Sequence, residues 1–273
     1  MPELPEVETT KRGIEPYLLG RNIYAIEIRE PRMRWPVEDD VLQMTGQRVN
    51  QVCRRAKYIL MNCDLGTLIL HLGMSGSLRI CPHEQELRKH DHFIMRLDKD
   101  LEMRLHDPRR FGAVIWHDAS KGPIDSHPLL CHLGPEPLSN HFNSDYLVST
   151  CHQRKTSIKQ HIMNNRVVVG VGNIYACEAL FRSGIHPARK AGRIAKARIN
   201  KLTNEIKLVL KEAIKQGGTT LRDFLREDGS PGYFKQQLNV YDREGKPCHA
   251  CESKIKKIIL GNRSTYYCPR CQR

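Results

Sequence analysis

The sequence predicts a multidomain α+β protein: an N-terminal two-sheet β-sandwich led by a helix, a helical module after it, and a small C-terminal hairpin. Three observations carry that expectation. Eight short segments, β-branched or alternating and punctuated by Gly, Asp and Pro, fill residues 21–117. The period then changes, with Leu202, Ile206, Val209, Leu210, Ala213 and Ile214 on one helical face. The chain closes as Cys248-x2-Cys251-x16-Cys268-x2-Cys271, the spacing of a four-thiolate tetrahedral zinc site.

In order along the chain, Pro2-Glu-Leu-Pro-Glu-Val-Glu8 opens a helix running to about Tyr17, with Pro in its first turn and acids at its positive end. The strands are expected at Arg21–Arg29, Gln47–Arg55, Lys57–Cys63, Thr67–Leu72, Ser77–Ile80, His92–Leu97, Leu101–Leu105 and Ala113–His117. Asp64-Leu-Gly and Asp98-Lys-Asp read as hairpin turns. The segment Cys131–Ser139, with Gly134-Pro-Glu-Pro137, is turn-rich and reads as a linker. A helix over Ile174–Ser183 follows the glycine-bearing turn Val169-Gly-Val-Gly-Asn173, and Gly217-Gly218 ends the next one. The expected division is a sandwich domain over 1–132, a linker over 133–150, a helical module over 151–238 and a zinc finger over 239–273.

Composition narrows the partners. A formal charge of +14 over 273 residues favours a polyanion, because neutralising phosphates releases counterions. The excess is concentrated: Arg182–Arg198 holds six Lys/Arg, and Arg243–Arg273 holds eight against two Glu. The apolar runs are too short to cross a bilayer, and the acidic, proline-bearing start is no secretory signal, so an intracellular protein is expected. Of ten cysteines, six (Cys53, Cys63, Cys81, Cys131, Cys151, Cys177) lack ligand spacing and read as small apolar residues. The last four should hold one structural zinc, a staple for a stretch too short to fold unaided.

The chemistry begins at the first residues. Removal of Met1 would leave Pro2 as a terminal secondary amine beside the carboxylate of Glu3. An α-amino group titrates near pH 8, so part of it is a neutral nucleophile under physiological conditions. Condensed with an aldehyde carbon, a secondary amine gives an iminium ion that stays cationic at any pH and serves as an electron sink for elimination. The same letters also begin an ordinary helix. Elsewhere, Gly170-Val-Gly172-Asn173 offers amide N–H groups to a phosphate at a helix start, with Asn173 as a further donor or as a helix cap. His71-Leu-Gly-Met74-Ser-Gly ends a strand in a glycine turn. Asp107-Pro-Arg109-Arg-Phe111-Gly places a cation and an aromatic at a loop tip, the parts of a duplex-invading wedge, though a surface Arg and a core Phe give the same letters. Lys57 in Arg54-Arg-Ala-Lys57 has the character of a phosphate contact or of simply solvated charge.

Taken together, Pro-Glu-Leu-Pro-Glu-Val-Glu8, His71–Gly76, Asp107–Gly112, Val171-Gly-Asn-Ile-Tyr-Ala176, Gly217-Gly-Thr-Thr220 and the four-cysteine finger resemble the bacterial formamidopyrimidine-DNA glycosylase family from end to end. The resemblance implies a base-excision repair enzyme that is both glycosylase and abasic-site lyase. It removes 8-oxoguanine and formamidopyrimidines from double-stranded DNA and cuts the strand by β,δ-elimination. It further implies Pro2 as Schiff-base nucleophile, Glu3 as the proton donor that opens the sugar and Lys57 as a donor in the elimination steps. Met74, Arg109 and Phe111 would fill the gap left by the extruded nucleotide, with Arg109 facing the orphaned cytosine. Asn173 and Arg263 would grip phosphates, Arg263 counting also among the catalytic set. His71 and His92 would contact DNA, Lys155 would lie near the lesion pocket, and a loop over about 217–233 would cap the everted base. The implied fold has a helix-two-turns-helix module between sandwich and finger, with DNA crossing the cleft. The implied protein is a cytoplasmic, nucleoid-associated monomer with no membrane partner.

The related endonuclease VIII group, which acts on oxidised pyrimidines, shares the finger and the helix entry. Its start usually carries Gly in place of Leu4, so the purine-lesion branch is favoured. A zinc-ribbon protein that binds damaged DNA without chemistry is the other alternative. Two departures stand out: Asn164 where relatives often carry Asp, and Cys177 where Ser is usual.

Overall fold

A computed structural model of the chain describes residues 2–97, 100–217 and 238–273. The chain divides into two compact units, one built on residues 2–131 and one on residues 132–215 with 238–273.

The first unit opens with helix α1 (Leu4–Leu18), whose start is fixed by a reciprocal capping box between Glu3 and Glu6. All eight expected strands form: β1 (Ala25–Ile28), β2 (Gln51–Arg55), β3 (Tyr58–Asn62), β4 (Gly66–His71), β5 (Ser77–Pro82), β6 (Asp91–Arg96), β7 (Leu101–His106) and β8 (Ala113–Asp118). They make two antiparallel four-stranded sheets, ordered β1-β6-β7-β5 and β2-β3-β4-β8. Period-two alternation sends one face of each inward. Ile59, Met61, Leu68, Leu70, Val114 and Trp116 from one sheet share a core with Leu78, Ile80, Phe93, Met95, Met103 and Leu105 from the other. The opposite face of the first sheet is buried too, around ions. Asp91 takes Arg79 at 2.6 Å and His106 at 3.0 Å, and Arg104 pairs with Glu102 and donates to the Gln85 and Glu86 carbonyls. The turn expected at Asp98-Lys-Asp lies partly outside the described residues.

The second unit holds α2 (Ser144–Cys151), α3 (Ile158–Ile162), α4 (Asn173–Arg182) and all but the last two residues of α5 (Lys196–Gly217) around a core that includes Phe142, Leu147, Ile162, Tyr175, Leu180, Leu202 and Leu210. Residues 133–150, expected as a linker, are not all linker. The last seven are helical, because the Asn143 side chain accepts the Tyr146 N–H and starts α2. Ser157 opens α3 the same way, accepting from Gln160. The antiparallel pair β9 (Lys256–Leu260) and β10 (Arg263–Tyr267) forms the C-terminal hairpin. Its two-residue turn has φ of 55° at Gly261 and 59° at Asn262, the two left-handed positions of a type I′ turn. Among the described residues, no helix is long and apolar enough to cross a membrane. The loop expected over 217–233 lies outside the described residues apart from Gly217.

Candidate active site

In the first unit, Pro2 is half-buried immediately before α1, and Glu3 is the helix N-cap, 2% exposed. The acids around Pro2 are already engaged. The Glu6 carboxylate accepts the Glu3 N–H at 2.8 Å. Glu8 takes Arg12 at 2.7 Å and Arg54 at 2.8 Å. Burial pushes the Glu8 carboxyl up, but the hydrogen bonds and charges of Arg54 and Arg12 outweigh it and hold the group below the ordinary carboxylate range.

That Arg54–Glu8 pair ties α1 to the β2–β3 hairpin. Lys57 sits at its two-residue turn, after Ala56 with φ of +54°, a conformation an alanine rarely adopts. Arg54 also donates to the Ala56 carbonyl at 2.8 Å, so one guanidinium holds both the helix and the turn. Tyr58 and His71 face each other across β3 and β4, ring centres 5.1 Å apart. The His71 Nδ1 accepts the Gly73 N–H at 3.0 Å, which requires the neutral ring with its proton on Nε2. Burial, with the positive charges of Arg34 and Lys57, lowers its pKa to about 4.

The two loops that carry Met74 and Phe111 are one construction. A Cβ on Gly73 would lie 2.3 Å from the Phe111 carbonyl carbon, so only glycine lets the backbones meet. The buried Asp107 carboxylate accepts from the Ser75 hydroxyl (2.8 Å) and the Gly112 N–H (2.7 Å). Met74 and Phe111 are thereby left 38% and 43% exposed, and the Arg109 guanidinium lies 4.8 Å over the Phe111 ring. His92 stands behind this platform rather than on it. It is buried, its Nε2 bonds to the Asp107 carbonyl at 3.0 Å, and burial lowers its pKa. The half-exposed imidazole at this edge is His90, packed against His92 and His106.

In the second unit, Gly172 is the N-cap of α4, so Asn173 does not cap it. The Asn173 Oδ1 instead accepts from the Lys159 ammonium at 2.5 Å, and its Nδ2 donates to the Ser264 carbonyl at 2.9 Å. Lys159, 1% exposed, donates also to the Thr265 hydroxyl at 2.6 Å. Nothing local in the sequence marked Lys159, because Asn173 is 14 positions away and Thr265 106. Arg263 and Lys155 are exposed, the former just past the hairpin turn.

The sulfurs of Cys248, Cys251, Cys268 and Cys271 lie within 4.8 Å of one another, with pairs at 3.9 and 3.4 Å. A tetrahedral zinc–thiolate site requires about 3.8 Å between sulfurs, so the cluster fits one structural zinc with no position left for substrate. Glu178 of α4 secures the finger's entry. Its carboxylate accepts from the backbone N–H groups of Asn239, Val240 and Tyr241 and from the Asn239 side chain. Cys177 is buried in the finger's own small core, beside Cys248 and Cys268, and the Asn164 side chain accepts the Arg166 N–H. Of the unassigned thiols, burial lifts Cys63 to about 12 and Cys151 to about 11, which keeps them protonated and inert.

A two-sheet sandwich led by a helix that starts just after Pro2 and Glu3, combined with a helical module and a four-thiolate finger, defines a zinc-finger DNA glycosylase. Family models match at residues 1–114 (formamidopyrimidine-DNA glycosylase N-terminal domain), 133–225 (its H2TH domain) and 245–273 (zinc finger found in FPG and IleRS). The formamidopyrimidine-DNA glycosylase of Thioalkalivibrio sulfidiphilus is 59% identical and that of Methylococcus capsulatus 56%, each over the whole of both chains. A solved structure of the Lactococcus lactis enzyme with abasic-site DNA matches at a TM-score of 0.89 and 31% identity, covering both chains fully. The chain belongs to the formamidopyrimidine-DNA glycosylase family.

Proposed function

We propose that this chain excises oxidised purines, 8-oxoguanine and formamidopyrimidines, from duplex DNA and then cleaves the abasic strand through a Schiff base on Pro2. The observation that carries this reading is the position of Pro2: half-buried, before a helix start, with Glu3 buried beside it. The positive end of α1 disfavours an ammonium there, and Arg12 and Arg54 offset the opposing charge of Glu8.

Once Met1 is removed, the Pro2 lone pair bonds to C1′ as the bond from C1′ to the base breaks, and the proton given up by the Pro2 nitrogen neutralises the departing base. Glu3 gives a proton to the ring oxygen, opening the sugar to an iminium. Loss of a C2′ proton expels the 3′-phosphate, a second elimination expels the 5′-phosphate, and water releases the sugar remnant. Lys57 serves as proton donor in those eliminations. Since a base cannot be reached inside the stack, the nucleotide must be extruded, at about a few kcal/mol. Met74, Arg109 and Phe111 fill the gap. In the second unit, Asn173 and Arg263 hold phosphates and Lys155 stands by the lesion. His71 contacts the backbone, and we assign the contact expected of His92 to the more accessible His90. The domains follow the expected order, with the linker ending before α2. The enzyme works as a monomer in the cytoplasm, at the nucleoid.

Borohydride trapping with duplex containing 8-oxoguanine tests the reading. A covalent adduct mapped by mass spectrometry to Pro2, and lost in Pro2→Gly, is the expected result. No adduct, or active enzyme that still carries Met1, overturns it.

A further inference from the structure

The acid-free basic run between Arg182 and Arg198 has no part in the chemistry above, yet the fold gives it a defined place. Residues 189–192 are sewn along residues 154–158. The Ala191 N–H donates to the Thr156 carbonyl (3.0 Å), Gly192 to Arg154 (3.0 Å) and Ile158 to Arg189 (2.7 Å), with Ser157 bridged to Lys190. The seam is tight, since a Cβ on Gly192 would lie 2.8 Å from the Arg154 nitrogen. Along it Arg154, Lys155, Arg189, Lys190 and Arg193 are all exposed. Among the described residues none of the five pairs with a carboxylate, whereas nearby Lys196 pairs with Asp145 at 3.1 Å.

This ridge joins the phosphate grip through α3, only five residues or about 7.5 Å long. Ser157, on the seam, bonds to Gln160 at 2.7 Å, and the Gln160 amide abuts Gly261, two residues before Arg263. The residue before Gln160, Lys159, holds Asn173. A protein partner would need aromatic or large apolar anchors, and none of the exposed large hydrophobic residues lies on the ridge. A regular row of phosphates needs only spaced cations.

We infer that the ridge formed by residues 154–155 and 189–193 is a second strip of contact for the phosphate backbone of duplex DNA flanking the lesion, setting affinity and its salt dependence rather than the rate of chemistry. The inference rests on the function proposed above.

The test compares the full-length zinc-loaded protein with its Arg189→Gln/Lys190→Gln/Arg193→Gln variant on a duplex of about 30 base pairs bearing a tetrahydrofuran abasic analogue. Each phosphate contact contributes about 0.9 to the slope of log Kd against log salt. The variant's slope should therefore fall by about 2–3, while single-turnover cleavage of an 8-oxoguanine duplex at saturating enzyme stays unchanged. An Arg189→Lys/Arg193→Lys variant should keep the wild-type slope, which separates charge from folding. A wild type that forms no borohydride adduct sinks the functional reading itself. A wild type that does form it, with equal slopes for both proteins, sinks the ridge alone. Equal slopes on DNA with lost retention on polyglutamate would mark an acidic polypeptide as the partner and overturn the duplex assignment.

Discussion

The Ser75 hydroxyl donates to the buried Asp107 carboxylate at 2.8 Å, joining two loops thirty-two positions apart into one rigid platform. The second oxygen of Asp107 accepts the Gly112 N–H, and its backbone carbonyl takes the His92 ring. Asp107 therefore sets where Met74, Arg109 and Phe111 stand without reaching the surface.

Replacing Asp107 by Ala strands the Gly112 N–H and the Ser75 hydroxyl in a buried place, at about 1–3 kcal/mol for each unsatisfied group. Asp107→Ala should lower the urea midpoint and slow single-turnover excision by roughly tenfold or more, from a misplaced wedge. Ser75→Ala, which removes one bond and leaves the Gly112 contact, should show a clearly smaller loss on both. Equal defects in the two variants would contradict this hierarchy.

His71 yields a pH prediction with a definite sign. Its folded pKa of about 4 lies below an unfolded value near 6.5, so the unfolded chain binds the proton more readily. The stability from keeping the ring neutral is complete above pH 6.5 and is lost as pH falls towards 4, by up to about 3 kcal/mol. Urea unfolding between pH 7 and 4 should show that slope in the wild type, and a shallower one in His71→Gln. An NMR titration midpoint for His71 near 6.5 in the free protein would refute the assignment.

Lys159 and Asn173 provide a separate test in the second unit. The ammonium orients the Asn173 carboxamide and holds β10 to α3 through Thr265. Lys159→Met keeps much of the volume but removes hydrogen bonds worth about 1.5–3 kcal/mol each when charged. Its affinity for an abasic-site duplex should fall about tenfold or more, with cleavage at saturation changed much less and zinc content unaltered. A change confined to kcat would place Lys159 in the chemistry instead.

How far these groups were visible in the sequence depends on the range of their partners. The strands were legible because alternation is local: Ile59 and Met61, or Phe93 and Met95, announce an inward face by themselves. The finger was legible for the same reason, four thiolates in two close pairs. Helices α2 and α3 were not, since eight and five residues are too few to show a helical period and their starts rest on single caps, Asn143 and Ser157. The burial of His92 was not legible, because a histidine beside a strand reads alike whether it faces water or the Asp107 carbonyl. The bracing roles of Asp107, Lys159 and Glu178 went unseen because each is defined by partners that only the folded chain supplies.

Glu178 supports the last prediction. One carboxylate collects three consecutive backbone N–H groups, Asn239 to Tyr241, at 2.8–3.0 Å, just where the chain enters the finger. A finger of this size has little core beyond Cys177, Val240, Ile255 and Tyr266, so metal and anchor together define its position. In Glu178→Gln an amide NH2 must face donors, leaving at least one N–H unsatisfied at a cost of about 1–3 kcal/mol. Because folding of the finger and metal binding are linked, that loss should appear as faster zinc release to a chromogenic chelator and weaker duplex binding. Stripping zinc from the wild type should abolish duplex binding while leaving the sandwich folded, since its core contains no residue of the finger. Zinc release from Glu178→Gln at the wild-type rate would show that the four thiolates alone hold the finger in place.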